Sequence, residues 1–243
     1  MAKIIAVWGA PNAGKTTFAT KLARAIYDSY QSTVVVVYTD YETPTLPIIF
    51  PNYKKEDLCS LGVALAKTDV DRFEVVKQMI TVKGKQNFCF LGFTDGENKY
   101  TYPTFDTQKA QSLYSVLSSL ADYIIVDCTS SLQNPLAKVA VQEGDTVFRL
   151  AAPTLKSVSF LSSQLPLYAD PGYQLSEHIQ GLCITDGDIY LPIEEAENLL
   201  GDVRFTIPFS RGVKWQMVDG QLYEVVSDKK FNSKLQAIVE KVV

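Results

Sequence analysis

Residues 9 to 16 read Gly9-Ala10-Pro11-Asn12-Ala13-Gly14-Lys15-Thr16, the spacing GxxxxGK[ST]. Each residue type has a reason in phosphate chemistry. Gly9 and Gly14 free the backbone to fold so that successive N–H groups, here those of Asn12, Ala13, Gly14 and Lys15, converge on phosphate oxygens. Pro11 has no N–H and contributes to the same cradle by shaping the loop. The amine of Lys15 reaches the β- and γ-phosphates, where it binds and assists transfer, and the Thr16 hydroxyl ligates Mg²⁺. Thr17, one residue into the helix that begins here, is placed toward the α-phosphate. The helix adds its first N–H groups and its dipole. The implied ligand is a nucleoside triphosphate with its metal.

Two acidic positions belong to the same chemistry. Tyr123-Ile124-Ile125-Val126-Asp127 is an apolar run ending in a carboxylate. That form places an acid at the carboxyl end of a buried strand, where ligands of open α/β sheets bind. Asp127 is thus a candidate Mg²⁺ ligand. A second strand ends Tyr38-Thr39-Asp40-Tyr41-Glu42. In an extended chain Asp40 and Glu42 would point to one side. Asp40 is a further candidate for the metal, and Asp40 or Glu42 for orienting an attacking water.

The elements that must position these residues can be read from apolar periodicity. Ile4–Trp8 and Thr33–Tyr38 are continuous apolar runs, the pattern of parallel strands covered on both faces. Between them Phe18, Leu22 and Ile26 recur at helical spacing over Thr16–Tyr30. Further strands are predicted at Asn87–Leu91, Tyr123–Asp127, Thr146–Leu150, Gly181–Thr185 and Val203–Ile207. Helices are predicted at Asp69–Ile80, with Val70, Phe73, Val76 and Ile80 on one face, and at Thr107–Ala121. Gly92–Asp106 is polar and rich in turn formers, hence a loop. The alternation predicts an α/β fold: a three-layer αβα sandwich about a mainly parallel, twisted sheet, with right-handed crossovers. No repeat, low-complexity tract or linker interrupts it, so residues 1–243 are read as one domain.

Bulk composition narrows the function classes. A formal charge of −4 gives no general attraction to nucleic acid or anionic membrane. The four cysteines are widely spaced without a CxxC pair, and three lie in apolar runs, which predicts buried thiols rather than disulfides or a metal cluster. A single histidine, His178, excludes a histidine-based metal site or triad. The first apolar stretch is too short for a signal peptide or a membrane span, which predicts a cytoplasmic protein.

With the loop, the two acids and the element order in place, the chain resembles the ParA/MinD group of P-loop ATPases. The resemblance rests on the first strand leading directly into the loop, Asp40 and Glu42 followed by Thr43-Pro44-Thr45-Leu46-Pro47, and Asp122–Asp127. It continues in Gly144-Asp145-Thr146-Val147, in Ala152-Pro153-Thr154 and in Ile207-Pro208-Phe209. It implies ATP and Mg²⁺, a nucleotide-dependent homodimer, and slow hydrolysis used as a switch that positions the protein partners of a larger assembly: plasmids, division proteins, or pilus, secretion or conjugation machinery. It also places Thr185, Pro208 and Phe209 beside the base. Thr185, followed by Asp186, stands where the family has an asparagine. Ala10 replaces the family's second lysine, and Pro11 and Asn12 replace glycines. Asp127-Cys128-Thr129-Ser130 lacks the glycine of the family's DxxG. Chain length and this variant loop resemble the TadZ/CpaE-like branch. Together the departures imply a weak ATPase.

Two alternatives stand beside the switch. One is a phosphoryl-transfer or ligase-type enzyme on the same fold. The other is an adaptor that holds nucleotide without turnover. Residues 229–242 carry Phe231, Leu235, Ile238 and Val242 on one face with Lys229, Lys230, Lys234 and Lys241 nearby. The favoured reading is a terminal helix packed on the sheet with a solvated basic face; membrane or DNA contact is the alternative. Arg149, Arg204 and Arg211 are read as ordinary surface or interface residues rather than phosphate contacts. Trp8 is read as core and Trp215 as a surface residue open to a partner.

Overall fold

The computed structural model describes residues 2–54, 58–185 and 191–242. In chain order the elements are β1 (Lys3–Gly9), α1 (Lys15–Tyr30), β2 (Val34–Tyr38), α2 (Leu46–Ile49), α3 (Leu61–Leu65) and α4 (Arg72–Lys77). Next come β3 (Ile80–Val82), β4 (Lys85–Leu91), α5 (Thr107–Ser118), β5 (Tyr123–Asp127), α6 (Pro135–Glu143), β6 (Thr146–Ala151) and α7 (Leu155–Gln164). The chain closes with β7 (Ile179–Cys183), α8 (Ile193–Leu200), β8 (Phe205–Ile207), α9 (Arg211–Val218) and α10 (Lys229–Val242).

One eight-stranded sheet runs in the order β3-β4-β2-β5-β1-β6-β7-β8. Every pairing is parallel except β3 with β4. Successive residues of the central strands feed opposite faces, as the period-2 geometry of a strand requires. Ile5, Val7, Val34, Val36, Tyr38 and Ile125 pack with Phe18, Leu22 and Ile26 of α1 and Phe231, Leu235 and Ile238 of α10. Ala6, Trp8, Val35, Val37, Ile124 and Val126 pack on the other face with Leu113 and Leu117 of α5 and Leu136 and Ala140 of α6. Two apolar layers around one sheet explain why these strands read as continuous apolar runs. This is the expected mainly parallel αβα arrangement.

Three local expectations are corrected. The helix expected over 69–80 is only six residues long and is capped by the Asp71 carboxylate, which accepts from the N–H groups of Phe73 and Glu74. Phe73 is 74% exposed and Val76 46%, while Val75 is buried. Ile80 belongs instead to β3, where Ile80 and Val82 are buried on either side of exposed Thr81. The apolar residues at 70, 73 and 76 mimic a helical stripe, but the period switches to 2 at Ile80. The strand expected at 181–185 lies at Ile179–Cys183, so Thr185 follows the strand rather than closing it. The chain after β2 is not extended. Residues 41–44 turn, and Asp40 Oδ1 accepts from the N–H groups of Glu42 (2.9 Å) and Thr43 (2.8 Å). Asp40 and Glu42 therefore do not share one side of a strand.

The apolar face of α10 is consumed inside the molecule: Phe231, Leu235, Ile238 and Val242 are all buried. Its lysines at 229, 230, 234 and 241 are exposed. Among the described residues no helix is long and apolar enough to cross a membrane.

Candidate functional site

β1 lies between β5 and β6, yet the chain leaving it crosses to β2, on the far side of β5. The strand order thus reverses beside β1, and the loop after β1 opens at that crevice. Gly9 ends β1 with φ of 137°, and a Cβ there would lie 2.1 Å from the Leu150 carbonyl oxygen. Only glycine fits, because the next residue must turn: the Ala10 N–H donates to Leu150 O at 2.9 Å. Asn12 has φ of 59° and Gly14 of 74°. Asparagine tolerates that left-handed conformation, so it serves where glycine would. Pro11 is partly exposed, Asn12 exposed and Ala13 buried beneath the loop.

Helix α1 begins at once. Its N-cap, Gly14, makes no side-chain cap. By contrast α5, α6 and α7 are capped by Asp106, Asn134 and Thr154. With glycine at the N-cap, the missing side-chain cap costs the helix only about a few tenths of a kcal/mol. Here it leaves the first N–H groups of α1, including those of Thr16 and Thr17, to an external acceptor, and the dipole favours an anion.

Lys15 Nζ donates to Ala10 O at 3.0 Å and to Ser130 Oγ at 2.7 Å. Burial lowers the pKa of this ammonium, and Asp127 and Asp40 are among the groups that oppose the shift. Asp127 closes β5 and lies level with Val7 of β1 and Tyr38 of β2. Its Oδ2 accepts from Thr16 Oγ1 at 2.6 Å. Its Oδ1 is buried without a partner among the described residues. Burial raises the Asp127 carboxyl to about 6, against the Thr16 hydrogen bond and Lys15. A desolvated carboxylate oxygen without a donor is costly unless a cation or donor meets it.

This oxygen set fits Mg²⁺, which takes one or two carboxylates, a hydroxyl and substrate phosphates rather than an all-protein cage. Accordingly, the described residues contain no group of three or more His, Cys, Asp or Glu set to hold a metal alone. Asp40 is partly buried and close enough to act electrostatically on both Lys15 and Asp127. Glu42 is exposed, and it is not among the charges that perturb Lys15 or Asp127.

Beside the loop is a cavity of about 280 Å³. Gly14 and Thr17 form its phosphate-loop side, Thr185, Pro208 and Phe209 its far side, and Val213 and Met217 of α9 one wall. The expected base-side residues are thus gathered at the loop. Asp186 lies outside the described residues. Arg149 is turned away: it bonds Gln180 and the Leu175 carbonyl. Arg204 pairs with Asp202 on the surface. Trp8 is buried and Trp215 is 64% exposed.

Ser130 does not stand out by its type. The available signal is positional: a hydroxyl three residues beyond a strand-ending acid, on the sheet edge that carries the loop.

No protein-family model matches the sequence, and comparison with curated proteins gave no match. Solved structures do match. A ParA family ATPase from Chlorobium tepidum TLS has a TM-score of 0.76 at 15% identity, over 98% of this chain and 98% of that chain. The septum site-determining protein MinD from Pyrococcus horikoshii OT3, complexed with Mg-ADP, has 0.71 at 18%, over 100% and 96%. A substituted McdA from Cyanothece in complex with ATP has 0.68 at 17%, over 99% and 96%. An eight-stranded, mostly parallel sheet with helices on both faces, its first strand running into a Gly9–Thr16 phosphate loop, is the fold of the ParA/MinD P-loop ATPases.

Proposed function

We propose that the chain is a Mg-ATP-binding switch of the ParA/MinD type with weak ATPase activity. One observation carries it: the Asp127 oxygen without a partner among the described residues belongs to the carboxylate that accepts from the Thr16 hydroxyl, at the start of a helix without a side-chain N-cap, with Lys15 alongside. In this reading the N–H groups of residues 12–17 and Lys15 hold the phosphates. Thr16 and Asp127 hold the metal, with Asp40 as a further carboxylate. Mg²⁺ supplies charge neutralisation at the phosphates. Thr185, Pro208 and Phe209 take the base in the cavity beside the loop. Asp40 orients the attacking water, with Glu42 the other candidate. Similarity to structures holding Mg-ADP and ATP supports the choice of ligand.

The variant loop, with Ala10, Pro11 and Asn12, together with chain length, supports a place near the TadZ/CpaE-like members. There the switch would be a homodimer that recruits or positions partner machinery. A second reading, a nucleotide-holding adaptor without turnover, is favoured by two departures: Ala10 leaves no second lysine in the loop, and Ser130 stands where the family's DxxG has its glycine.

The test is a calorimetric titration with Mg-ATP. Wild-type protein is expected to bind, and Lys15→Ala to lose at least about a hundredfold in affinity, the scale of two or more charge-assisted contacts. Undiminished affinity in Lys15→Ala would sink the reading. A phosphate-release assay on wild type, Asp40→Ala and Glu42→Ala then separates switch from adaptor. A slow rate lost in Asp40→Ala supports the switch, and no rate in wild type supports the adaptor.

A further inference from the structure

We propose that Lys21 is the positioning residue that sets the base-side wall of the nucleotide site. The inference rests on the nucleotide reading above and concerns a side chain behind the cavity, not one that lines it. Gly14, Thr17 and Phe18 of α1 line the cavity beside the loop, and Val213 and Met217 of α9 form one wall. Lys21 stands on the same face of α1, four residues beyond Thr17 and three beyond Phe18. It is 3% exposed. Its Nζ donates to the side-chain oxygen of Gln216, the α9 residue next to Met217, and to Glu224 O at 2.6 Å. Gln216 in turn donates from Nε2 to Val225 O at 2.9 Å. The link between the phosphate-loop helix and the wall helix thus lies one helical turn behind the cavity.

The chemistry of the link explains why a lysine stands there. An apolar side chain would fill the space without fixing where its neighbours sit. A buried amine is costly unless its N–H groups are bonded, so it holds its acceptors at hydrogen-bond distance. Burial, and next Arg24, lower the Lys21 pKa to about 7, with Glu224 opposing. A neutral amine still has two N–H donors, enough for Gln216 and Glu224 O, so the link does not depend on the charge. The segment it grips is itself braced. Arg24 Nη1 donates to Tyr223 O at 3.2 Å and to Glu224 Oε2 at 2.8 Å, and Lys85 Nζ donates to Glu224 Oε1 at 2.9 Å. The Gln221 N–H donates to Gln216 O at 2.7 Å. Lys21 therefore joins the end of α9 to a segment already fastened to α1 and β4. Without it Val213 and Met217 lose their register against Thr17 and Phe18, and the cavity loses its defined width where the base sits. The phosphate cradle of residues 12–17 does not use this link.

The experiment is calorimetric titration of wild type, Lys21→Met, Gln216→Leu and the double variant with Mg-AMPPNP and with Mg-tripolyphosphate, which offers phosphates without a base. Lys21→Met is expected to lose about tenfold in AMPPNP affinity with less than about twofold change for tripolyphosphate. Gln216→Leu cuts the same link from the α9 side and is expected to match it. The double variant is expected to lose no more than about twofold beyond either single change. Equal loss for both ligands overturns the inference, since a general disturbance of the fold moves both. So do losses that multiply in the double variant. An unchanged ratio in Gln216→Leu also overturns it, and that arm stands at a partly exposed position even where Lys21→Met fails to fold. Wild-type protein that binds neither ligand overturns the reading beneath it instead.

Discussion

Gly9 illustrates how a single residue decides whether the loop exists. With φ of 137° and a would-be Cβ 2.1 Å from Leu150 O, alanine there meets both backbone strain and a backbone clash that no side-chain rotation relieves. Gly9→Ala is expected to lose about 3 kcal/mol or more of stability, read from urea unfolding. Asn12, at φ of 59°, tolerates substitution by glycine with a change of at most a few tenths of a kcal/mol. The same scale separates Asp127 from Glu42. Asp127 is desolvated and half-bonded, so a cation gains from meeting it; Glu42 lies in water and keeps its hydration. Both could be picked out as acids near strand ends. Their different surroundings come from residues far away in the chain.

At the scale of elements, the strand that feeds the loop is fastened to a distant segment. Trp8, one residue before Gly9, donates from Nε1 to His178 Nδ1 at 3.2 Å, and His178 Nε2 contacts Tyr173 O at 2.8 Å. A carbonyl only accepts, so Nε2 carries the proton and the ring is neutral. Burial, and next Arg149, lower the His178 pKa from 6.5 to about 4. The unfolded chain therefore binds a proton between about pH 6.5 and pH 4 that the folded chain does not. Stability is fully present above pH 6.5 and is lost as pH falls toward 4, by roughly 3 kcal/mol from this group. Thermal melts across that range are expected to slope downward with acid. His178→Gln should be less stable overall but flatter over the same window. Helix α10 makes a second element-scale case. Phe231 is buried against the α1 face of the sheet, so Phe231→Ala is expected to cost about 3–5 kcal/mol. Paired Lys234→Ala and Lys241→Ala are expected to change stability by no more than about 0.5 kcal/mol, because both side chains are solvated. Chemical denaturation checks both.

For the whole molecule the question is association. The proposed switch predicts that light scattering shows monomer mass without nucleotide and doubled mass with Mg-AMPPNP. A mass that ignores nucleotide would favour the adaptor. Surface features near the loop are suitable for a partner: Trp215 and Val218 are each 64% exposed on α9, the helix that walls the cavity beside Gly14. Trp215→Ala is expected to leave nucleotide affinity within about twofold while lowering any nucleotide-dependent mass increase, since the side chain contributes little to the monomer's core.

Much of the layout was legible from spacing alone. The loop, its helix, the Val34–Tyr38 and Tyr123–Asp127 strands and the terminal helix all express short-range rules: successive apolar residues for a strand covered on both faces, four-residue recurrence for one helix face. A loop glycine and a strand-ending acid are also local facts. The features that stayed hidden depended on partners remote in sequence. The short β3 hairpin looked like the end of a helix until β4 paired with it. The turn at Asp40 comes after an end of β2 that is pinned to the β5–α6 loop by Thr39 and Asn134. Ser130 meets Lys15 across 115 positions. So the sequence by itself determined that the lysine of a GxxxxGK[ST] loop, Lys15, follows the first strand of a mainly parallel sheet. Only the tertiary structure decided which groups surround that lysine, because sheet order, not chain order, brings β5 alongside β1 and sets a serine hydroxyl against its ammonium.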